Sequence, residues 1–141
     1  MNALDFICIV LILIFLFCFV KSRFLKKTYD DPLIERIKFD LLLVHPKAKE
    51  LNYFASNESL TENKKDMYLC LKDENGQYYP YNMLMYVALH ELAHAVSKSV
   101  DDAHTGEEFN RNFDILLERA TQLGLYNPNE PLLNNYCGVS A

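Results

Sequence analysis

The distribution of apolar and polar positions divides the chain into an apolar N-terminal segment and a mixed, longer remainder. Residues 6–20, "FICIVLILIFLFCFV", form a run of fifteen positions without a polar side chain. A helix of that length covers about 22 Å, and flanking residues from 4 to 25 extend it toward the ~30 Å of a bilayer core. The pattern predicts a transmembrane anchor over residues 1–27 and one folded domain over residues 28–141.

Charge around this segment predicts its orientation. One acid precedes the apolar run and four basic residues follow it: Asp5, then Lys21, Arg23, Lys26 and Lys27. By the positive-inside rule, a single-pass membrane protein with this pattern has its C-terminal domain on the cytosolic side. A cleaved signal peptide is the main alternative, but "MNALD" has no basic residue and no small-x-small cleavage site follows.

The remainder of the chain is acidic. From Thr28 onward it contains ten Lys and Arg against eighteen Asp and Glu, a formal charge of −8. Such a balance argues against nucleic acid as a partner. Cys70 and Cys137 are far apart and show no disulfide-framework spacing, so the cysteines favour a reducing compartment.

Periodicity in the domain predicts an α+β fold. Asp31 as N-cap, Pro32 at the first helical position and the His45-Pro46 pair predict a helix over 32–44, with His45 as a helix-end residue. Short aromatic-rich segments predict strands near the ranges 51–55, 67–72 and 77–80, with an exposed polar loop between the first two.

Two further helices follow. An apolar stretch after Asn82, the candidate N-cap, predicts a helix buried on nearly all sides. The last helix has the clearest signals: Thr105 and Glu108 read as a capping box, and Gly124 as the C-terminal stop. The segment "ALHELAHAVSKSVDDAHTGEEF", in which three of the chain's four histidines occur, runs from the first of these helices into the last.

The spacing of these histidines points to a metal. On a helix His90 and His94 are one turn apart and project from the same face, as two ligands of a tetrahedral zinc ion require. Glu91 points about 100° away, where it can act as the general base toward a water activated by Zn²⁺. The alternative is an apolar helix whose two histidines have only structural partners.

The third ligand follows from helix faces. Asp114 lies on the polar side of the last helix, and Glu107 and Glu108 have roles in its first turn. His104, just before that helix, is the remaining candidate, and a turn of about ten residues can return it to the metal. The alternative for His104 is a solvated loop histidine.

At this point the chain resembles a known family. "YVALHELAHAV", followed after ten residues by "HTGEEF" and a closing helix, is similar to zincin metallopeptidases of the SprT/WLM kind, including WLM-like proteins of large DNA viruses. The resemblance covers residues 50–138. It implies His90, His94 and His104 as zinc ligands, Glu91 as base, and a protein or peptide substrate.

The resulting prediction is an α+β, zincin-like zinc endopeptidase with a short antiparallel sheet, an active-site helix and a C-terminal helix, tethered through residues 4–25. An edge strand, 67–72, is expected to bind an extended peptide, and Tyr136 is the candidate oxyanion donor. Two alternatives stay open: a membrane-anchored adaptor with a purely structural zinc, for which Cys137 is the candidate fourth ligand, and a protease of DNA–protein crosslinks.

The assignment of His104 generates a test. His104→Ala is expected to weaken zinc binding by at least the roughly 10- to 100-fold typical of lost metal-supporting residues. Asp114→Ala and Glu107→Ala are expected to leave it nearly unchanged, since both are solvated in this interpretation. Competition titration against a chelator ranks the three variants. A larger loss in either acidic variant would assign the third ligand to a carboxylate instead.

Overall fold

The computed structural model describes residues 1–25, 31–100 and 106–140. The helices are α1 Ala3–Leu25, α2 Pro32–Val44, α3 Tyr81–Val96 and α4 Glu107–Gln122, with a 3₁₀ helix at Pro46–Glu50. The strands are β1 Asn52–Ser56, β2 Leu60–Glu62, β3 Asp66–Cys70, β4 Asn135–Tyr136 and β5 Val139–Ser140. The described part is thus a small α+β fold. The predicted boundary between residues 27 and 28 lies outside the described residues.

The N-terminal segment is helical, but the transmembrane prediction is wrong. Over residues 1–25, 31–100 and 106–140, no helix combines the length and the apolar character needed to cross a membrane. The physical reason is the limited apolar run: Asp5 lies in the first turn of α1, and Lys21 and Arg23 lie near its end. The fifteen positions between them cover about 22 Å, short of a ~30 Å hydrocarbon core. The predicted single-pass topology and cytosolic orientation depended on that helix and are wrong as well.

Helix α2 confirms the predicted range of 32–44. The carboxylate of Asp31 accepts a hydrogen bond of 3.0 Å from the Leu33 N–H, and Pro32 occupies the first helical position. Its buried apolar side chains, among them Ile37 and Leu41, face the core. His45 ends the helix as predicted, and its Nδ1 accepts from the Lys47 N–H at 3.0 Å.

The sheet is mixed, which corrects the predicted antiparallel arrangement. Its order is β1-β3-β2, with β1 parallel and β2 antiparallel to the central β3. β2 lies in the segment that was predicted to be an exposed loop, because three residues are too few to show a strand period. The segment 77–80 is not a strand as predicted: Tyr78 forms an isolated antiparallel bridge with Lys72, across the turn at residues 74–76.

Helix α3 is the centre of the core. Nine of its sixteen residues are buried, and it contacts β2, β3, α2 and α4. Its N-cap is Pro80 and not the predicted Asn82. The Asn82 side chain instead donates to the Asn127 carbonyl at 3.0 Å and accepts from the Asn127 N–H at 2.8 Å. This pair fixes the C-terminal tail over the start of α3.

The C-terminal end of α3 is held by a lysine from the sheet. Lys64, in the β2–β3 turn, donates through Nζ to the carbonyls of His94, Ser97 and Ser99. A cation at this end also opposes the partial negative charge of the helix dipole. Lys64 has φ +55, as the first residues of a tight strand-to-strand turn require.

Helix α4 begins at Glu107 with Gly106 as its N-cap, so the predicted capping box is wrong at Glu108, and Thr105 lies outside the described residues. The Glu108 carboxylate instead accepts from the N–H groups of Lys98 and Ser99, at 2.7 and 3.1 Å. It thereby joins the start of α4 to the end of α3. The predicted stop at Gly124 is confirmed, with φ +70.

A disulfide joins Cys70, at the end of β3, to Cys137, with a Cα–Cα distance of 6.4 Å. The prediction of reduced cysteines is therefore wrong for this pair. A sequence separation of 67 residues hid the pairing, because spacing reveals disulfides only in small repeating frameworks. Cys137 and Gly138, with φ +48 and +78, form the two-residue turn between β4 and β5.

The Glu108 carboxylate generates a pH prediction. Its hydrogen bonds to the Lys98 N–H, the Ser99 hydroxyl and the Ser99 N–H lower its pKa from 4.5 to about 2. A lowered folded-state pKa means that its contribution to stability is complete above pH 4.5 and is lost as the pH falls through about 2. Glu108→Gln is expected to destabilise the chain at pH 6, with a difference from wild type that closes toward pH 2.

Urea unfolding of the wild type, Glu108→Gln and the exposed neighbour variant Glu107→Gln, at a series of pH values, measures this contribution. The neighbour variant should follow the wild type throughout. A pH-independent gap between Glu108→Gln and the wild type would show that lost packing, and not the charge, is responsible.

Candidate metal and catalytic site

The two histidines of the HExxH motif lie side by side on α3. Their ring centroids are 5.0 Å apart, as expected for residues one helical turn apart. Aromatic rings of α4 pack against them: His94 lies 4.4 Å from Phe109, and His90 lies 5.0 Å from Phe109 and 5.2 Å from Phe113. These aromatic side chains of α4 therefore limit how both imidazoles can turn.

Glu91 lies between the histidines in sequence and points toward the sheet. Its side chain is buried, with 5% of its surface exposed. The Thr61 hydroxyl on β2 lies 2.9 Å from Glu91 Oε2 and 3.0 Å from the Glu91 carbonyl. Because the carboxylate has this donor at its side, its orientation is fixed by the strand and not by α3 alone.

Burial raises the pKa of Glu91 to about 7, and the hydrogen bond from Thr61 opposes part of that rise. The physical cause is desolvation, since a buried carboxylate loses the water that stabilises its charged form. A group with such a pKa exchanges protons near neutral pH, as a general base must.

A cavity of about 460 Å³ opens beside these residues. Helix α3 contributes one wall through Tyr86, Val87, His90 and Glu91. Its volume lies within the roughly 300–1,000 Å³ of ligand pockets. The candidate base and one candidate metal ligand therefore face a space large enough for a substrate.

The opposite side of the cavity comes from two other segments. Glu58 and Ser59 belong to the loop before β2, and Tyr136 and Cys137 belong to the C-terminal hairpin. Burial raises the pKa of the Tyr136 hydroxyl to about 12, so that it keeps its proton. The loop and the hairpin are far from α3 in sequence, and the fold alone brings them to the site.

Tyr136 reaches the cavity, but its hydroxyl is not oriented as the predicted oxyanion donor. It donates to the Cys70 carbonyl, and its oxygen lies 2.8 Å from the Ser59 Oγ. A hydroxyl has one hydrogen, so the Ser59 hydroxyl donates to Tyr136 in this arrangement. Ser59 in turn accepts from the Cys70 N–H at 2.9 Å.

The predicted set of three ligands is not complete within the described residues. Among residues 1–25, 31–100 and 106–140, no three His, Cys, Asp or Glu side chains come together as a metal-binding group. A full zinc centre is therefore not seen in this part of the chain. His104, the predicted third ligand, lies outside the described residues, and Asp114 and Glu107 are exposed.

Cys137 was the candidate fourth ligand of the structural-zinc alternative. Its sulfur is bonded to Cys70. Zinc binds cysteine as the thiolate, which a disulfide cannot supply. The oxidised chain thus lacks the cysteine ligand on which that alternative relied.

Thr61 and Ser59 are the site residues that sequence reasoning missed. Both fall in a polar segment that was predicted to be an exposed loop, and neither belongs to a motif. The only local signal is the apolar Leu60 between them, which is too short a pattern to indicate a strand.

Comparison with known proteins finds viral relatives. Uncharacterized protein 136R of Invertebrate iridescent virus 6 is 42% identical over 125 residues, which cover 84% of this chain and 68% of the relative. Uncharacterized protein 042R of Invertebrate iridescent virus 3 is 39% identical over 90 residues, covering 63% of this chain and 55% of the relative. An uncharacterized protein of Acanthamoeba polyphaga mimivirus is 32% identical over 127 residues, covering 86% of this chain and 61% of the relative.

No family model matches the chain. No solved structure matches it either. The chain spans less than two thirds of the length of the second and third relatives.

The buried carboxylate generates a stability prediction for the metal-free chain. Because the folded-state pKa of Glu91 is raised from 4.5 to about 7, its favourable contribution is complete below pH 4.5 and is lost as the pH rises through about 7. A shift of this size corresponds to about 3 kcal/mol. Glu91→Gln removes the ionisation, so the metal-free variant is expected to be the more stable of the two at pH 8.

Chemical unfolding at pH 5 and pH 8, with a chelator present, checks this expectation. Glu58→Gln, which changes an exposed acid at the same cavity, is the matched control and should keep the wild-type pH dependence. Equal pH dependence in Glu91→Gln and the wild type would mean that Glu91 ionises without cost in the folded chain.

Proposed function

We propose that this chain, which belongs to the family of protein 136R of Invertebrate iridescent virus 6, hydrolyses peptide bonds with the help of a zinc ion. His90, His94 and His104 hold the ion, and Glu91 is the general base. The proposal concerns this domain's chemistry. The relatives are longer than the matched segment.

One observation carries the proposal: on one helix, a buried carboxylate and an imidazole, those of Glu91 and His90, line a single cavity, and the His94 ring lies 5.0 Å from that of His90. A purely structural helix gains nothing from placing Glu91 in its interior, because desolvating a carboxylate costs free energy. Retaining it beside a substrate-sized space is typical of catalytic sites.

The donor set suits zinc. Imidazole nitrogen is a common zinc ligand, and the 5.0 Å between the ring centroids of His90 and His94 allows both rings to face one ion. When bound, zinc supplies a Lewis acid and makes a nucleophilic water available at neutral pH. Catalytic zinc sites take three protein ligands, and His104 provides the third in this proposal.

Glu91 then has a defined task. Its carboxylate accepts the proton released as the nucleophile attacks the peptide carbonyl, and it returns that proton to the leaving nitrogen. Thr61 keeps Oε2 in place through its 2.9 Å hydrogen bond while the proton moves. The surrounding core excludes water from the rest of the side chain.

The sheet supplies a path for the peptide. The predicted edge strand, 67–72, is wrong, because β3 is paired on both sides. β2 is the edge strand on the α3 side, and its Thr61 contacts Glu91. An extended peptide that pairs with β2 would therefore pass directly beside the base.

Two variants separate metal binding from catalysis. Glu91→Gln is expected to keep about one zinc per chain and to lose turnover by about 10²- to 10⁴-fold, because only the proton acceptor is removed. His94→Ala is expected to lose zinc affinity itself, together with stability, because metal binding is coupled to folding.

Elemental analysis of the full chain measures the zinc, and cleavage of a mixed peptide library measures turnover. Asp114→Ala, an exposed acid on α4, is the matched control and should match the wild type in both. Equal zinc loss in Glu91→Gln and His94→Ala would make Glu91 a ligand. A wild-type chain that binds no zinc would remove the proposal.

A further inference from the structure

Resting on the proposed function, we propose that the cavity beside Glu91 binds a large apolar side chain of the substrate, and that the disulfide-bonded hairpin of residues 135–140 is the wall that completes it. The oxidised chain has this subsite, and the reduced chain does not. The inference names both the substrate preference and the redox dependence of the same site.

The surfaces of the cavity favour an apolar occupant. Tyr86 and Val87 on α3 and Tyr136 of the hairpin line a space of about 460 Å³. The acids at the cavity, Glu58 at the surface and Glu91 in the interior, oppose a negatively charged side chain. A large apolar side chain is thus preferred over both a small one, which leaves the space unfilled, and an acidic one.

The hairpin is attached to the site at few points. The Tyr136 hydroxyl bonds to the Cys70 carbonyl and to Ser59, and the Tyr136 and Tyr79 rings lie 4.8 Å apart. The Cys137 N–H donates to the Tyr79 hydroxyl at 2.8 Å. The disulfide to Cys70 is the covalent attachment. These contacts hold the hairpin to the end of β3, to the loop before β2 and to the approach to α3.

Reduction removes the covalent attachment. A dithiol gives two electrons and two protons: the bond between the Cys70 and Cys137 sulfurs breaks, each becomes a thiol, and the sulfurs of the dithiol join in a disulfide. Each strand of the hairpin has only two residues. A two-stranded hairpin is marginal in water even when longer. Without the disulfide, the wall that carries Tyr136 is expected to leave the cavity.

Peptide binding tests the subsite without any catalytic activity. The full chain carrying Glu91→Gln, free of metal, is titrated with three acetylated tripeptide amides: Gly-Phe-Gly, Gly-Gly-Gly and Gly-Glu-Gly. The phenylalanine peptide is expected to bind about tenfold or more tighter than either other peptide. Binding is measured by the NMR shift changes at Tyr86, Val87 and Tyr136. Equal binding of all three overturns the apolar subsite.

A pair of tryptophan variants locates the binding. Val87→Trp fills the cavity and is expected to weaken the phenylalanine peptide by about tenfold or more. Leu33→Trp fills the separate cavity that Leu33 lines with Arg36 and Tyr78 and is the matched control. It should bind as the parent does. Loss in the control alone would place the peptide elsewhere and overturn the assignment.

The redox arm compares the oxidised chain, the chain in dithiothreitol and the double variant Cys70→Ser/Cys137→Ser. Circular dichroism monitors the core in each. With a folded core, affinity for the phenylalanine peptide is expected to fall by about tenfold in both forms that lack the disulfide. Unchanged affinity overturns the role of the hairpin. If either form unfolds, Tyr136→Ala with the disulfide intact replaces it. A loss of about tenfold in affinity for the phenylalanine peptide in that variant supports the role of the hairpin, and unchanged affinity overturns it.

The two proposals fail in different ways. Selective peptide binding by a chain that cleaves nothing with zinc present leaves the subsite standing and removes the peptidase. If the zinc-loaded chain cleaves peptides at the same rate whatever their central side chain, the proposed peptidase activity stands and the apolar subsite is overturned. Oxidised and reduced zinc-loaded chains with equal cleavage of phenylalanine peptides also remove it.

Discussion

The burial of α3 is the constraint on which the other elements depend. A helix enclosed by a sheet and two further helices can carry polar side chains only where a neighbour provides a partner or a cavity. Glu91 meets the Thr61 hydroxyl, and the backbone carbonyls at the end of α3 meet the Lys64 ammonium. Both partners come from β2 and its turn. The shortest strand of the sheet and the turn after it therefore supply partners for the buried carboxylate of α3 and for the carbonyls at its end.

The position of α4 follows from the same constraint. Phe109 and Phe113 of α4 cover the histidine side of α3, which would otherwise be open to water. Glu108 then fixes where α4 starts by accepting two N–H groups from the segment that leaves α3. The two helices of the candidate site are thus held by side chains of opposite character, aromatic rings along their length and a carboxylate at their junction.

Local signals predicted the parts of this arrangement that rest on local chemistry. Asp31, Pro32 and Gly124 act within a few residues of themselves, and α2 and the end of α4 lie where those residues indicated. Contacts between segments that are distant in the sequence had no local sequence signal by which to predict them. β2 is too short to show a period, the Cys70–Cys137 pair has no framework spacing, and the loop predicted around Thr61 gave no reason to place it beside Glu91. The apolar run of α1 suggested a helix that spans a membrane, but the charged residues on either side limit the apolar part to fifteen positions, which is too short.

The same disulfide has a topological consequence. Its two cysteines are 67 positions apart in the sequence, so α3 and α4 both lie inside one covalent ring. Closing a loop of this size removes freedom mainly from the unfolded chain, by about 4 kcal/mol in the entropic description. A backbone break at any point within the ring would leave a single molecule, with both fragments still joined through sulfur. An oxidised chain can therefore be nicked between its two site helices and keep them together, whereas a reduced chain divides in two.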